Sequence, residues 1–204
     1  AETQRRKGRN GMMIVVILIA NTAANGSERA ALQANARWAS DLLGLARFRW
    51  GNTMFEVFYL DPDELPVVDS DTRYAGANLE FQPIPDLTAG VSFVMSPKSS
   101  FNYFSPVGTS AGTREGLRVY DARFNYTPNG QGARGPFFGA ELAYQDNENF
   151  DMSAHAGWAE IGYSFPGVKF SPSISYRYAR FSGDDPDTPT YERWDPMLSG
   201  GTGE

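Results

Sequence analysis

The 204-residue chain contains no cysteine and only one histidine, His155. Without thiols it can form no disulfide, no cysteine-ligated zinc site and no thiol nucleophile. We expect no cofactor and no metal site. The formal net charge of −6 also makes nucleic acid an unsuitable partner, because its phosphates repel an acidic protein.

Long apolar runs are missing as well. The longest, Met12 to Ala20, is too short for a transmembrane helix, which needs about 20 apolar residues. The mean hydropathy of −0.41 is too polar for a helical membrane protein. A transmembrane β-barrel is compatible with such averages, because only every second residue of each strand faces lipid.

From Leu42 to Phe181, apolar and polar residues alternate in eight runs, which is the period of a β-strand. Short, turn-forming links such as Gly51-Asn52 alternate with long links rich in acidic residues. The pattern predicts a meander of antiparallel strands. The predicted strands are Leu42 to Trp50, Thr53 to Asp61, Thr72 to Gln82, Leu87 to Ser96, Gly116 to Thr127, Phe137 to Asp146, Ala154 to Ser164 and Lys169 to Phe181.

The two faces of these strands differ in chemistry. One is apolar, with aromatic residues such as Trp50 and Tyr126 near strand ends, and the other is polar or charged. Together with unequal links, this favours an all-β, antiparallel up-and-down transmembrane β-barrel in the outer membrane of a Gram-negative bacterium, surrounded by outer-membrane lipid and lipopolysaccharide. A soluble ligand-binding barrel or sandwich predicts the same period and is the alternative.

The first residues do not follow the strand pattern. A basic stretch, Arg5 to Arg9, precedes the apolar run Met12 to Ala20, as in a secretory signal peptide. The β-branched residues of that run also fit a further strand, which is the interpretation we favour. Ser27 to Asp41 fits a helix with Ser27 as its N-cap. We treat residues 1–204 as one incomplete barrel domain, in which residues 1–41 have these alternative assignments.

A motif lies near the end of the chain. Ser175 to Asp185 reads SYRYARFSGDD, and Tyr191 to Met197 reads YERWDPM. These segments resemble the alginate-export family of outer-membrane channels, although Trp194 stands where that family has Phe. The resemblance implies a barrel of roughly 18 strands that passes an anionic polysaccharide or a related anionic solute. Because at most nine strands are predicted here, we expect the chain to be part of a longer protein.

Arginines on the polar face are the candidate solute contacts, because guanidinium groups remain charged and bind carboxylates with paired hydrogen bonds. Their alternative role is cross-strand pairing with acids of the same face. A general-diffusion porin is therefore the alternative function within the channel class. The candidate solute path comprises Arg47, Arg49, Arg123, Arg177, Arg73, Arg118, Glu56 and Asp121.

Catalysis is not expected. Ser153, His155 and Asp151 resemble a triad in sequence, but side chains two residues apart on a strand diverge, and no oxyanion-binding group is recognisable. The acidic loops have two alternative roles. They could bind lipopolysaccharide through divalent cations, or they could simply be solvated charge at the strand ends.

Overall fold

The computed structural model describes residues 40–62, 70–130 and 132–197, and every regular element in these ranges is a β-strand. No helix that could cross a membrane occurs among these residues. The strands are β1 (Ser40–Trp50), β2 (Thr53–Pro62), β3 (Arg73–Ile84), β4 (Leu87–Lys98), β5 (Asn102–Phe104), β6 (Ser110–Thr113), β7 (Leu117–Tyr126), β8 (Gly135–Asn147), β9 (Ala154–Ser164) and β10 (Ser173–Phe181).

Eight of these strands form a single antiparallel sheet in the order β1-β2-β3-β4-β7-β8-β9-β10. Each strand pairs with the next large strand along the chain, so the predicted meander is confirmed. The first turn has a positive φ only at Gly51, which matches a type II′ hairpin. Within the described residues the sheet is open, with β1 and β10 at its edges.

Three sequence predictions need correction. The link from Pro97 to Glu115, predicted as a loop, contains the β5–β6 hairpin. The last strand begins at Ser173, because Phe170 and Ser171 have positive φ and belong to the preceding turn. Ser40 and Asp41 belong to β1 and not to the end of a helix.

The described strands all lie in one compact unit, Trp38–Asp195. A second unit comprises Ala1–Arg37 and Pro196–Glu204, and only Pro196 and Met197 of it are described. The signal-like segment, the additional strand and most of the helix predicted for residues 1–41 therefore lie outside the described residues.

Along the inner strands of the sheet, burial alternates in the opposite sense to that of a protein with an apolar core, whereas the edge strands β1 (from Leu42) and β10 are exposed on both faces. On one face, which we call the apolar face, Leu142 is 70% exposed; on the other, the polar face, Glu56 is only 1% exposed. Tyr59 belongs to the apolar face but is half-buried. Exposed members of the apolar face include Phe48, Trp50, Val57, Leu79, Phe81, Val91, Tyr120, Phe124, Leu142, Tyr144, Ile161, Tyr163, Ile174, Tyr176 and Tyr178.

Glycines on the polar face lie directly across from aromatic residues. Gly76 pairs with Phe58, and Gly162 pairs with Phe137. A Cβ atom would lie 2.6 Å from the Phe58 ring at the first position and 2.1 Å from the Phe137 ring at the second. Each glycine therefore leaves the space that its cross-strand aromatic ring occupies.

Candidate functional site

The strand register places the polar residues in two adjacent rows across the sheet. Arg47 pairs with Glu56, Glu56 with Asn78, and Asn78 with Ser92, each on the neighbouring strand. We call the two rows the polar belt. Its residues are Arg47, Glu56, Asn78, Ser92 and Asp121 in one row and Arg49, Glu80, Arg123, Glu141 and Trp158 in the other.

Hydrogen bonds connect the belt from β1 to β4. The Arg47 guanidinium forms an ion pair with Glu56. Asn78 Nδ2 donates to Glu56 Oε2 at 3.2 Å, and Ser92 Oγ donates to Asn78 Oδ1 at 3.1 Å. Because each group is donor or acceptor to the next strand, these side chains hold one another in place.

Arg123 lies at the centre of the belt. Its Nη1 donates to Asp121 Oδ1 at 2.6 Å and to Ser92 Oγ at 2.7 Å, while Nη2 donates to Asn78 Oδ1. The Arg123 side chain is only 2% exposed. A buried guanidinium with three neutral or acidic partners is a structural element of the wall, because its hydrogen-bonding capacity is largely used within the protein.

The connections continue to β10. Trp158 Nε1 donates to Glu141 Oε2 at 2.9 Å. The Arg177 guanidinium lies 4.4 Å from the centre of the Trp158 ring and pairs with Glu160 at 2.6 Å. Ion pairs therefore occur at both edges of the polar face as well as at its centre.

Six of the eight predicted solute-path residues lie on the polar face. Arg47, Glu56, Asp121 and Arg123 belong to the connected belt, and Arg177 lies beside it with its own acid partner. Arg49 differs from the other arginines. Its Nη2 lies 3.4 Å from Met54 Sδ, and it forms no ion pair with a carboxylate of the described residues.

The structure places the other two residues elsewhere. Arg73 and Arg118 follow the alternation of the apolar face, at the end of the sheet where the long links lie. They pair with Asp61 at 3.2 Å and with Asp146 at 2.6 Å. These pairs form a charged rim at the border of the apolar face, so the two arginines do not join the polar belt.

The opposite charges of the belt nearly balance. Three arginines, Arg47, Arg49 and Arg123, stand against the four acids Glu56, Glu80, Asp121 and Glu141. Because most of these charges are paired, the belt as a whole does not form a continuous positive surface.

A second feature covers the end of the polar face near the long links. We call it the cap, and it consists of residues 99–116, which include the β5–β6 hairpin, and residues 182–195. Beneath it, the polar face carries apolar residues that are buried, among them Tyr74, Val94, Leu117, Val119 and Ala154. This end of the face therefore has a small apolar core of its own.

Asp195 is the central residue of the cap. Its carboxylate accepts two hydrogen bonds from Arg114, at 2.7 and 2.9 Å, and one from the Tyr103 hydroxyl at 2.6 Å. Gln145 of β8 bonds both backbone groups of Asp195: Nε2 donates to the carbonyl at 2.7 Å, and Oε1 accepts from the amide at 2.9 Å. The cap is thus fastened to the polar face through Gln145.

Electrostatics keep this cluster in one protonation state. Burial and the adjacent Asp195 charge raise the pKa of Tyr103, so its hydroxyl stays a donor. Burial alone would lower the pKa of Arg114, but Asp195 outweighs this effect and the pKa is raised. The arrangement is therefore a stable ion pair with a neutral tyrosine at ordinary pH.

Aromatic residues surround the ion pair. The Tyr103 ring lies 5.7 Å from Phe150 and 5.1 Å from Tyr191, and the Arg114 guanidinium lies 4.0 Å from the Phe101 ring centre. Burial raises the pKa of Tyr191 to about 12. These rings exclude water from the Asp195 carboxylate, which strengthens its charged hydrogen bonds.

The cap was not predicted from the sequence, although one sign of it exists. Val94, Val119 and Ala143 are apolar residues on the face that is otherwise polar, and they cluster in the halves of β4, β7 and β8 near the long links. Apolar residues on both faces of a strand indicate cover on both sides.

The triad-like residues do not come together. The Asp151 carboxylate accepts a hydrogen bond from Thr190 at 2.6 Å, and His155 is exposed on the apolar side of β9. In the described part of the chain, no three His, Cys, Asp or Glu residues are grouped as metal ligands.

The motif near the end of the chain supplies several of the residues described above. Arg177 and Asp195 belong to it, as do the cap residues Tyr191 and Trp194. No family model, no curated protein and no solved structure matches this chain.

Proposed function

We propose that the chain forms part of the wall of a transmembrane β-barrel channel in the outer membrane of a Gram-negative bacterium. The observation that carries this proposal is the sense of burial. Large apolar side chains such as Leu142 and Ile161 are exposed, whereas charged side chains such as Glu56 and Arg123 are buried. Lipid is the solvent that such a face requires, because exposing contiguous apolar surface to water is unfavourable.

The dimensions of the apolar face support the proposal. Arg118, in the charged rim, and Thr127, at the turn end of β7, are nine residue steps apart. At about 3.3 Å per residue this is roughly 30 Å along the strand, or roughly 23 Å of height at a tilt of about 40°. The apolar band of an outer-membrane barrel is about 25 Å tall.

A soluble barrel or sandwich fits less well. It requires a second layer over the apolar face. Among residues 40–62, 70–130 and 132–197, the cover lies on the polar face instead, as the burial of Gln145 and Ala154 shows.

The proposed solute is an anionic polysaccharide or a related anionic solute, as in the alginate-export channels that the motif resembles. Arg49 supports this choice, because it lies on the polar face without a carboxylate partner among the described residues. Such a guanidinium is available to a passing carboxylate. The near balance of the remaining belt charges favours the alternative, a general-diffusion porin.

Ion selectivity of the full-length protein in planar bilayers separates these functions. If Arg49 attracts anions, Arg49→Gln lowers the anion-over-cation permeability ratio, and the change shrinks as added salt screens the charge. Arg134→Gln is the matched control, because it removes the same charge from an exposed residue in the link between β7 and β8, away from the polar belt.

The outcomes are distinct. Equal reversal potentials for the wild type and Arg49→Gln contradict the anionic-solute proposal and leave the porin. A full-length protein that inserts into bilayers without conducting contradicts both channel functions.

A further inference from the structure

We propose that residues 182–195 narrow the channel path at the end of the polar face near the long links, and that the Asp195 carboxylate is the latch that holds this segment in place. The narrowing rests on the proposed channel function, whereas the latch is a property of the fold and does not depend on that function. Among the described residues, Tyr103 and Arg114 bind the Asp195 carboxylate, and the side-chain amide of Gln145 binds the backbone of the same residue.

The segment is held at three places. At its start, Ser182 exchanges hydrogen bonds with His155, at 2.8 and 2.9 Å. In its middle, Tyr191 bonds through its backbone to Asp151 and Ser153 at the beginning of β9. The partners at both places are residues at, or just before, the start of β9. At the third place, Gln145 of β8 on the polar face binds the backbone amide and carbonyl of Asp195, while Tyr103 and Arg114 bind its carboxylate.

The latch is buried, which makes it sensitive to a single substitution. The Asp195 side chain is 3% exposed and the Arg114 side chain 6%. If the Asp195 charge is removed, Arg114 stays behind as a buried charge without its counter-ion, a state that is strongly disfavoured. Detachment of the segment from Arg114, which also breaks the two backbone bonds between Asp195 and Gln145, lets water reach Arg114 and removes that penalty.

The position of the cap explains why it narrows the path. Buried residues of the polar face lie beneath it on five neighbouring strands: Tyr74 on β3, Val94 on β4, Val119 on β7, Ala143 on β8 and Ala154 on β9. A solute that approaches the polar belt from the side of the long links along these strands must pass the cap. We therefore expect a wider path when the segment is released.

Trypsin cleavage after Arg193 measures release without any assumption about transport. Arg193 is exposed, but its neighbours on both sides, Glu192 and Trp194, are partly or fully buried, so a protease needs the segment to detach locally. Asp195→Asn keeps the size of the side chain and removes its charge. We expect cleavage after Arg193 to be at least about tenfold faster in this variant than in the wild type.

Asp187→Asn is the matched control. It removes the same charge from the same segment, but the Asp187 side chain is exposed and far from the latch in sequence. Its cleavage rate should equal that of the wild type. Tyr103→Phe is the second variant, because it removes one hydrogen bond and keeps the ion pair, and we expect an intermediate cleavage rate.

Conductance in planar bilayers then tests the narrowing. Asp195→Asn should raise the single-channel conductance or the frequency of large openings, and Asp187→Asn should leave both unchanged.

Wild-type cleavage rates in Asp195→Asn contradict the latch; if that variant does not fold, a wild-type rate in Tyr103→Phe contradicts it equally. Fast cleavage with unchanged conductance contradicts the narrowing. A wild-type protein that does not conduct contradicts the proposed function, and also the narrowing, while the cleavage rates still decide the latch.

Discussion

At the scale of single residues, burial separates the arginines of the polar face into different roles. Arg123 is enclosed by Asp121, Ser92 and Asn78, whereas Arg177 reaches a single acid, Glu160, at the open edge of the sheet. Removal of a buried charge leaves its partner uncompensated, but water readily replaces an exposed ion pair. Removal of the same residue type is therefore expected to cost very different amounts of stability at the two positions.

Arg123→Gln should therefore lower the free energy of unfolding by about 3–5 kcal/mol. Arg177→Gln, which makes the same change in a side chain that is 44% exposed, should lower it by about 0–1 kcal/mol. Urea titration of both variants in lipid vesicles provides the measurement. Similar losses in the two variants would contradict the structural role that we assign to Arg123.

Tyr191 provides a pH-dependent test at the same scale. Burial raises its pKa to about 12, above the ordinary tyrosine pKa of 10.0, so between these values the folded protein keeps this proton while the unfolded chain loses it. The contribution of Tyr191 to stability is therefore complete below pH 10 and is lost as the pH rises through 12.

In an alkaline titration followed by tyrosinate absorbance, Tyr191→Phe should remove a step near pH 12 and leave the earlier steps in place. If the missing step lies at the ordinary tyrosine pKa, the ring of Tyr191 is not packed within the cap as described.

At the scale of strands, glycines fix how closely neighbouring side chains can approach. Gly76 on β3 faces Phe58 on β2, and a Cβ atom there would also lie 2.5 Å from the carbonyl oxygen of Phe93 on β4. Strands β2, β3 and β4 therefore lie so close together at Gly76 that no side chain fits there. Gly44 on β1 has no heavy atom within 4 Å of its would-be Cβ.

Gly76→Ala should lower the free energy of unfolding by about 1–3 kcal/mol, because the methyl group forces the ring or the backbone to move. Gly44→Ala is the control, with the same chemical change in open space, and should be close to neutral. Thermal or urea unfolding of both variants checks this expectation. A neutral Gly76→Ala would mean that β2 and β3 are not paired in the register described.

At the scale of the whole molecule, the proposed function places the two faces of the sheet in different solvents. Val91 lies in the middle of the apolar face, and Ala179 lies on the polar face, where the register connects it through Trp158, Glu141 and Arg123 to Gly90, the neighbour of Val91. Arginine at these two positions therefore compares the two faces of the same sheet.

In lipid vesicles, Val91→Arg should lower the free energy of unfolding by about 2–4 kcal/mol, since it places a charge in the middle of the apolar band. Ala179→Arg should have a much smaller effect because that side chain faces water in the proposed channel. Equal losses would contradict the assignment of the apolar face to lipid.

Local pattern was enough to predict much of the sheet. Alternation with a period of two follows from the geometry of a single strand, and short links join neighbours, so eight strands, their order and both faces are predictable from Leu42 to Phe181. Local pattern was not enough for the turn at Phe170 and Ser171, where positive φ values in ordinary residues end the regular backbone.

The candidate site divides in the same way. The sequence by itself determined which side chains share a face, and it therefore identified Arg47, Arg49, Arg123 and Arg177 together. The sequence also indicated the alternative role of these arginines, pairing with Glu56 and Asp121, because the same face carries opposite charges. It placed Arg73 and Arg118 near the strand ends, where the alternation assigns both to the apolar face, and only the structure shows that they pair there with Asp61 and Asp146.

Only the tertiary structure decided how the belt is connected and that a cap exists. Arg123 reaches Asn78 across 45 residues of sequence, and Arg114 reaches Asp195 across 81. Such contacts depend on the register of several strands at once and on where a long link folds back. A local sequence period encodes neither the register nor the path of the link. These ion pairs stabilise the fold only after the sheet has brought distant parts of the chain together.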